Sequence, residues 1–245
     1  MSGRYRKERA PAPPGFFAAE ASGLRWLAEA GACAVPHVHE VTDVAITIDF
    51  VPTGPPTPAA AERFGLELAA LHRSGADRFG APWTGYIGDA PMSNADGPDW
   101  PTWFAEQRIR PYLRDAVLMS DEQDEVEEVC ARIHELAGPA EPIARLHGDL
   151  WSGNVLWGTD GRVWLIDPAA HGGHRETDLA MLALFGLPHL DVVLAAYDEA
   201  WPLADGWRER LPLHQLFPLL VHACLFGAQY PYEAAAAARA ALRLV

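Results

Sequence analysis

The chain of 245 residues and 26.7 kDa is 49% hydrophobic, 10% aromatic and 21% charged, which excludes a disulfide-stapled miniprotein and a chain disordered throughout. Against 19 basic residues stand 33 acidic ones, a net charge of −14, and the summed field repels polyanions. The one tight basic cluster, Arg4, Arg6, Lys7 and Arg9, is too short for a duplex-binding stripe, so nucleic acid is set aside as a partner, whereas a nucleotide needs only a few local cations and a divalent metal.

The three cysteines, Cys33, Cys130 and Cys224, have neither metal nor redox spacing and read as reduced thiols. The start is charged and then proline-rich, unlike a secretory signal, and the longest apolar run, Leu216 to Ala228, contains Pro218 and His222 and is too short to span a bilayer. A cytoplasmic protein without a membrane partner is expected. Lys7 is the sole lysine in a chain otherwise supplied with arginine.

In chain order, an extended start leads through Pro11, Pro13, Pro14 and Gly15 into a helix over about 16–30, with Phe17, Leu24 and Leu27 on one face and Gly31 as its stop. Strands are expected over 35–40 and 44–51 with Thr42-Asp43 between them, and the PTGPPTP run at 52–58 is the best boundary, dividing the chain into 1–52 and 53–245. Beyond it the pattern is helical over 59–74, with Phe64, Leu68 and Leu71 on one face; 75–98 is a Gly- and Pro-rich loop long enough for a functional or wrapping role. Helices are then expected over about 100–118, 121–136, 177–184, 188–201 and 213–228, followed by an alanine-rich tail from Tyr232.

One segment in the helical half carries chemistry: RLHGDLWSGNVLWGTDGRVWLIDPAAHGGHRETD, residues 145–178. Val155–Trp157 and Val163–Ile166 flank Gly158-Thr159-Asp160-Gly161 and form a hairpin. Its open ends make neighbours of Asn154 and Asp167, two oxygen donors of the kind Mg²⁺ takes beside phosphate. Asp149 lies five residues before Asn154, between Gly148 and Gly153, where a carboxylate can accept a hydroxyl proton. The spacing D-x-x-x-x-N with a later Asp is the catalytic-loop pattern of kinases, in which alignment and charge lower the barrier to phosphoryl transfer. His147 reads as an imidazole that organises the backbone. Asp178 reads as an acid favoured at a helix start, and Glu176 is open to a reading as surface charge.

LHGDLWSGNVLW together with LIDPAAHGGHRETDLAML resembles the fructosamine-kinase family, relatives of the aminoglycoside phosphotransferases. APPGFFAAEASGLRWLAEA, FGLELAALHRSG, GYIG and the run from Trp103-Phe104 to Arg108, Pro111 and Leu113 extend the likeness over about residues 3–235. The resemblance implies an α+β, protein-kinase-like fold of two lobes, the small β-containing lobe in 1–52 and a helical lobe with catalytic loop and acceptor site in 53–245. It implies Asp149 as base, Asn154 and Asp167 as metal ligands, Lys7 on the nucleotide phosphates with Glu20 as its ion-pair partner, Asp49, Phe50 and Val51 as the adenine linker, and Asp178 as the brace of the catalytic loop. The cofactors implied are ATP and Mg²⁺, with Mn²⁺ as a substitute. The acceptor implied is a sugar hydroxyl of a ketosamine, free or on a protein lysine, for deglycation.

Trp151, His174 and Arg175 are the first candidates for acceptor contact; Trp100, Trp103, Phe104, Arg108 and His171 read more readily as core. With Lys7 on the family's third strand, only six residues precede it, so the first strands and the Gly-rich phosphate loop are expected to be missing from a truncated small lobe. An aminoglycoside- or choline-type kinase and a catalytically silent pseudokinase are the alternatives. The oligomeric state is left open.

Overall fold

A computed structural model describes residues 3–244; Met1, Ser2 and Val245, which the expected domain spans include, lie outside the described residues. In chain order the elements are β1 (Arg4–Glu8), α1 (Phe16–Glu29), β2 (Val38–Thr42), β3 (Ala45–Asp49), α2 (Pro58–Arg73), β4 (Gly85–Ile87), β5 (Ala90–Met92) and α3 (Trp100–Phe104). A π-helical turn, Ala105–Ile109, joins α3 to α4 (Arg110–Leu113). There follow α5 (Ser120–Ala131), α6 (Ile133–Leu136), β6 (Ala144–Leu146), β7 (Val155–Trp157), β8 (Val163–Leu165), β9 (His171–Gly173), α7 (Glu176–Phe185), α8 (Leu190–Ala200), α9 (Trp207–Phe226) and α10 (Tyr230–Ala241).

The first three strands form an antiparallel sheet in the order β1-β3-β2, with Lys7 opposite Ile46. β3 is buried along most of its length because it is central, and α1 closes one face of the sheet: Phe17, Ala21 and Leu24 pack with Val38, Ile46 and Ile48. The same three-and-four spacing puts Glu20 on that buried face. A second core, around Phe64, Leu68, Leu71, Val155, Leu165 and Tyr197, joins α2, α8 and the β7–β8 hairpin; a third packs α9 and α10 with α3 to α6.

The expected helices are present, with shifts that have local causes. The 100–118 helix is divided by the π turn and ends at Leu113, and the 121–136 helix is interrupted at Arg132. α9 begins at Trp207, earlier than expected, and runs through Pro212 and Pro218. A proline inside a helix removes a hydrogen bond and costs about 3 kcal/mol, yet Phe217, Leu219, Leu220 and Val221 around Pro218 are all buried, and this burial outweighs the break. The 75–98 loop contains the β4–β5 hairpin. Among the described residues no helix is long and apolar enough to cross a membrane.

Candidate active site

A cleft of about 230 Å³ lies between the β1-β3-β2 sheet with α1 and the β7–β8 hairpin, lined by Lys7, Glu20, Asp149, Trp151, Asn154 and Asp167 together with Phe16, Trp83, Tyr86 and Met92. The last three come from the long loop and its hairpin, which form one wall.

Each polar group is fixed by its own element. Lys7 projects from β1 and bonds Glu20 Oε2 at 3.0 Å and Asp167 Oδ1 at 3.0 Å, so one ammonium joins the sheet, α1 and the end of the hairpin. Burial opposes its charge, but the two carboxylates outweigh burial and raise its pKa. Burial and the charge of Asp167 push Glu20 upward against the pull of Lys7, and Glu20 Oε1 is buried without a hydrogen-bond partner.

Asp149 follows Gly148, whose φ of +81° and the 2.2 Å that a Cβ would leave to Ala169 O admit only glycine. Asn154 Nδ2 donates to Asp149 Oδ2 and to Asp149 O, each at 2.9 Å, and Ile166 N–H donates to Asn154 O at 3.1 Å, so the hairpin's open end holds Asn154, Asp149 and Asp167 together. Burial raises the Asp149 pKa to about 7, the Asn154 bond opposing and the charges of Asp167 and Asp178 adding.

Under the loop, Asp178 accepts His147 N–H at 2.8 Å, Gly148 N–H at 2.9 Å and His72 Nε2–H at 3.2 Å, while His72 Nδ1 lies 2.8 Å from Tyr197 Oη. With Nε2–H given to the carboxylate, His72 Nδ1 accepts the tyrosine proton. His147 Nε2 lies 2.9 Å from Ile166 O and its Nδ1 3.3 Å from Asp149 N, so the ring donates to one strand end and accepts from the loop; burial lowers its pKa and keeps it neutral.

Three groups of sequence candidates lie elsewhere. Asp49 accepts from His37 N–H and His39 Nε2, Phe50 N–H donates to Gly3 O, and Val51 is buried; none of the three lines the cleft. His174 and Arg175, expected at the acceptor, are corrected to an interior network. Arg175 Nη2 bonds Glu141 Oε1 at 2.7 Å and its guanidinium lies over Trp201, while the His174 ring packs on Trp100 and His214. Glu176 is likewise interior, held bidentately by Arg210 at 2.6 and 3.0 Å. Local pattern carries no sign of these partners, which are 26 or more residues away. Trp103, Phe104, Arg108 and His171 are buried in the core with Trp100. The residues that sequence reading missed are His72 and Tyr197, 106 and 125 residues from their partners, although His72 stands in the quoted run FGLELAALHRSG.

The donor set suits a divalent hard cation. With its nitrogen committed to Asp149, Asn154 has Oδ1 left to offer, and Asp167 supplies carboxylate oxygen beside it. A family model described as fructosamine kinase matches residues 6–243. The chain belongs to the fructosamine kinase family. Within it, a Thermus thermophilus protein named as a probable ketoamine kinase, TTHA1179, is 35% identical over 219 residues, covering 89% of this chain and 79% of that protein. A ketoamine kinase named as probable, YniA of Escherichia coli K12, is 34% identical over 223 residues, covering 89% of this chain and 77% of that one. A crystal structure from Thermobifida fusca, provisionally named a fructosamine-3-kinase, superposes with a TM-score of 0.95 at 55% identity over 99% of this chain and 86% of that one. The choline kinase LicA of Streptococcus pneumoniae, at 14% identity and a TM-score of 0.67 over 99% of this chain and 86% of that one, shares the fold. This member of the family is a kinase with the protein-kinase-like fold.

Proposed function

We propose that the chain transfers the γ-phosphoryl group of ATP to a sugar hydroxyl of a ketosamine. The observation that carries this reading is the convergence of Asp149, Asn154, Asp167 and Lys7 on one cleft, with Asn154 bonded to Asp149 and Lys7 bonded to Asp167. Family membership and the ketoamine kinase names of the relatives support the acceptor class.

In this reading Asn154 and Asp167 hold Mg²⁺, which when bound offsets phosphate charge and aligns the phosphates. Lys7, oriented by Glu20, binds phosphate oxygen. Asp149 accepts the hydroxyl proton as the sugar oxygen bonds to the γ-phosphorus and the bond to the ADP oxygen breaks; a carboxyl near pH 7 suits that duty. Asp178, with His72 and Tyr197 behind it, holds the loop backbone so that the carboxylate is in place before the acceptor arrives. Asp49, Phe50 and Val51, at the end of β3 and beyond the residues that line the cleft, would meet adenine, and residues 1–52 would form the nucleotide side against an acceptor side in 53–245. Trp151, 40% exposed and two residues beyond the base, meets the acceptor. Phosphorylation at the third sugar carbon makes the adduct labile, so the role is deglycation of amines or protein lysines, in a reducing cytoplasm consistent with the free Cys33, Cys130 and Cys224.

The test is ADP release with Mg²⁺ and ATP, with and without fructose-lysine, for wild type, Asp149→Asn and Lys7→Met. Acceptor-dependent release that falls at least a hundredfold in Asp149→Asn, with an ATP KM raised about tenfold in Lys7→Met, is expected. Turnover unchanged in Asp149→Asn refutes the base assignment, and an inert ketosamine beside an active choline or aminoglycoside refutes the acceptor class.

A further inference from the structure

Aromatic rings continue out of the cleft from Trp151. Its ring centroid lies 6.2 Å from that of Phe185, the last residue of α7; Phe185 lies 4.9 Å from His222; and His222 lies 5.4 Å from Phe226 and 4.8 Å from Tyr230. These residues come from α7, α9 and the first turn of α10, and their rings close on one another at the surface, where Phe226 is 64% exposed. The Nδ1–H of His222 is given to Pro218 O at 2.7 Å, which fixes that ring and turns Nε2, an acceptor, away from the helix.

The far end of this surface also meets the cleft. Leu225 Cδ1 lies 3.1 Å from where a Cβ on Gly88 would stand, so the end of α9 abuts the β4–β5 hairpin, whose Gly85, Tyr86, Gly88 and Met92 are cleft wall. Phe226 is exposed and Phe185, His222 and Tyr230 beside it are half-buried, an aromatic face that calls for an occupant, and one that begins two residues from the base is occupied by whatever is joined to the reacting sugar.

We infer that Phe185, His222, Phe226 and Tyr230 form a shelf for the amine substituent of the acceptor and select ketosamines whose nitrogen carries an extended apolar chain. This rests on the ketosamine reading above. In such a compound the sugar's first carbon bears a secondary amine, protonated at neutral pH, and the substituent leaves from that nitrogen. With the reacting hydroxyl at Asp149, the ammonium meets the Trp151 face, which attracts cations, and the chain runs on over Phe185 and Phe226. A lysine side chain, four methylenes beyond its nitrogen, is a substituent of this class.

The experiment measures kcat/KM for fructosamines of methylamine, butylamine and octylamine with wild type, Phe226→Ala and Tyr230→Ala. Phe226 is mostly exposed, so its truncation leaves the core intact, and the ATP KM is followed as a control. Wild type is expected to favour the octyl over the methyl acceptor by about tenfold, and each variant to reduce that preference about three- to fivefold. Preference for the long chain unchanged in both variants, or a wild type indifferent to chain length, overturns the shelf. A wild type that phosphorylates none of the three overturns the ketosamine reading itself, and the shelf with it.

Discussion

Asp149→Asn is expected to abolish turnover and, in the metal-free protein, to raise stability. The Asp149 carboxyl, moved from 3.8 to about 7 chiefly by burial, is a charge that the folded state holds unwillingly at neutral pH. At roughly 1.4 kcal/mol per pH unit of separation, the penalty reaches at most about 4 kcal/mol, and water at the cleft mouth brings it to about 2 kcal/mol. Asparagine removes the charge and still accepts from Asn154 Nδ2, the contact now made at 2.9 Å. The sign follows from proton linkage. The folded pKa is above the unfolded one, so the wild-type penalty is absent below about pH 4, grows as pH rises through the interval and is complete above pH 7. Urea denaturation of both proteins in EDTA, at pH 7.5 and pH 4.5, is the assay. A variant about 2 kcal/mol more stable at the higher pH, with the gap about halved at the lower, is expected. A variant no more stable than wild type at pH 7.5, or a gap undiminished at pH 4.5, refutes the reasoning.

Asp178→Asn places an amide N–H₂ against at least one of the His147, Gly148 and His72 donors, and is expected to lose about 2–4 kcal/mol in urea and about a hundredfold in kcat, with a smaller effect on the ATP KM. Full kcat in Asp178→Asn would show that the loop needs no such brace. In Gly65→Ala the new Cβ would lie 2.3 Å from Val193 O and 2.8 Å from Ala196 Cβ, where α2 crosses α8, so a loss of about 3 kcal/mol is expected from the urea midpoint; a loss below about 1 kcal/mol would mean that the crossing yields easily. Burial lowers His171 to about 3, so the unfolded chain takes up its proton first as pH falls, and the stability present above pH 6.5 declines by up to about 1.4 kcal/mol per pH unit below it. His171→Asn, whose amide can still donate to Ala169 O, should make the fall between pH 6.5 and 4.5 shallower by that amount; an unaltered slope counts against a neutral buried ring.

The polar cluster of the cleft, the candidate site, is legible because it is local. Asp149, Asn154 and Asp167 stand within 19 residues around a hairpin that glycines announce, and hairpin geometry brings its ends together. Lys7 and Glu20 required the family likeness, since neither a lysine in a short edge strand nor a glutamate three residues after Phe17 declares its partner. The β6–β9 pair, Ala144–Leu146 with His171–Gly173, is three residues long and too short to show alternation. His174 and Arg175 were drawn to the acceptor by their place in the motif, whereas Glu141, Trp201 and His214, distant in sequence, draw them inward. Local pattern encodes the parts of the site that one hairpin assembles; long-range pairing encodes what holds that hairpin still.

The environment of Lys7 bears on the protein's own chemical durability. Reducing sugars condense with neutral amines, and this sequence exposes a single lysine side chain to them. That amine is gripped by two carboxylates and kept as an ammonium, with its pKa raised. A kinase acting among glycated amines thus offers almost no lysine to the reaction whose products it handles, and the one it keeps is held in the unreactive form.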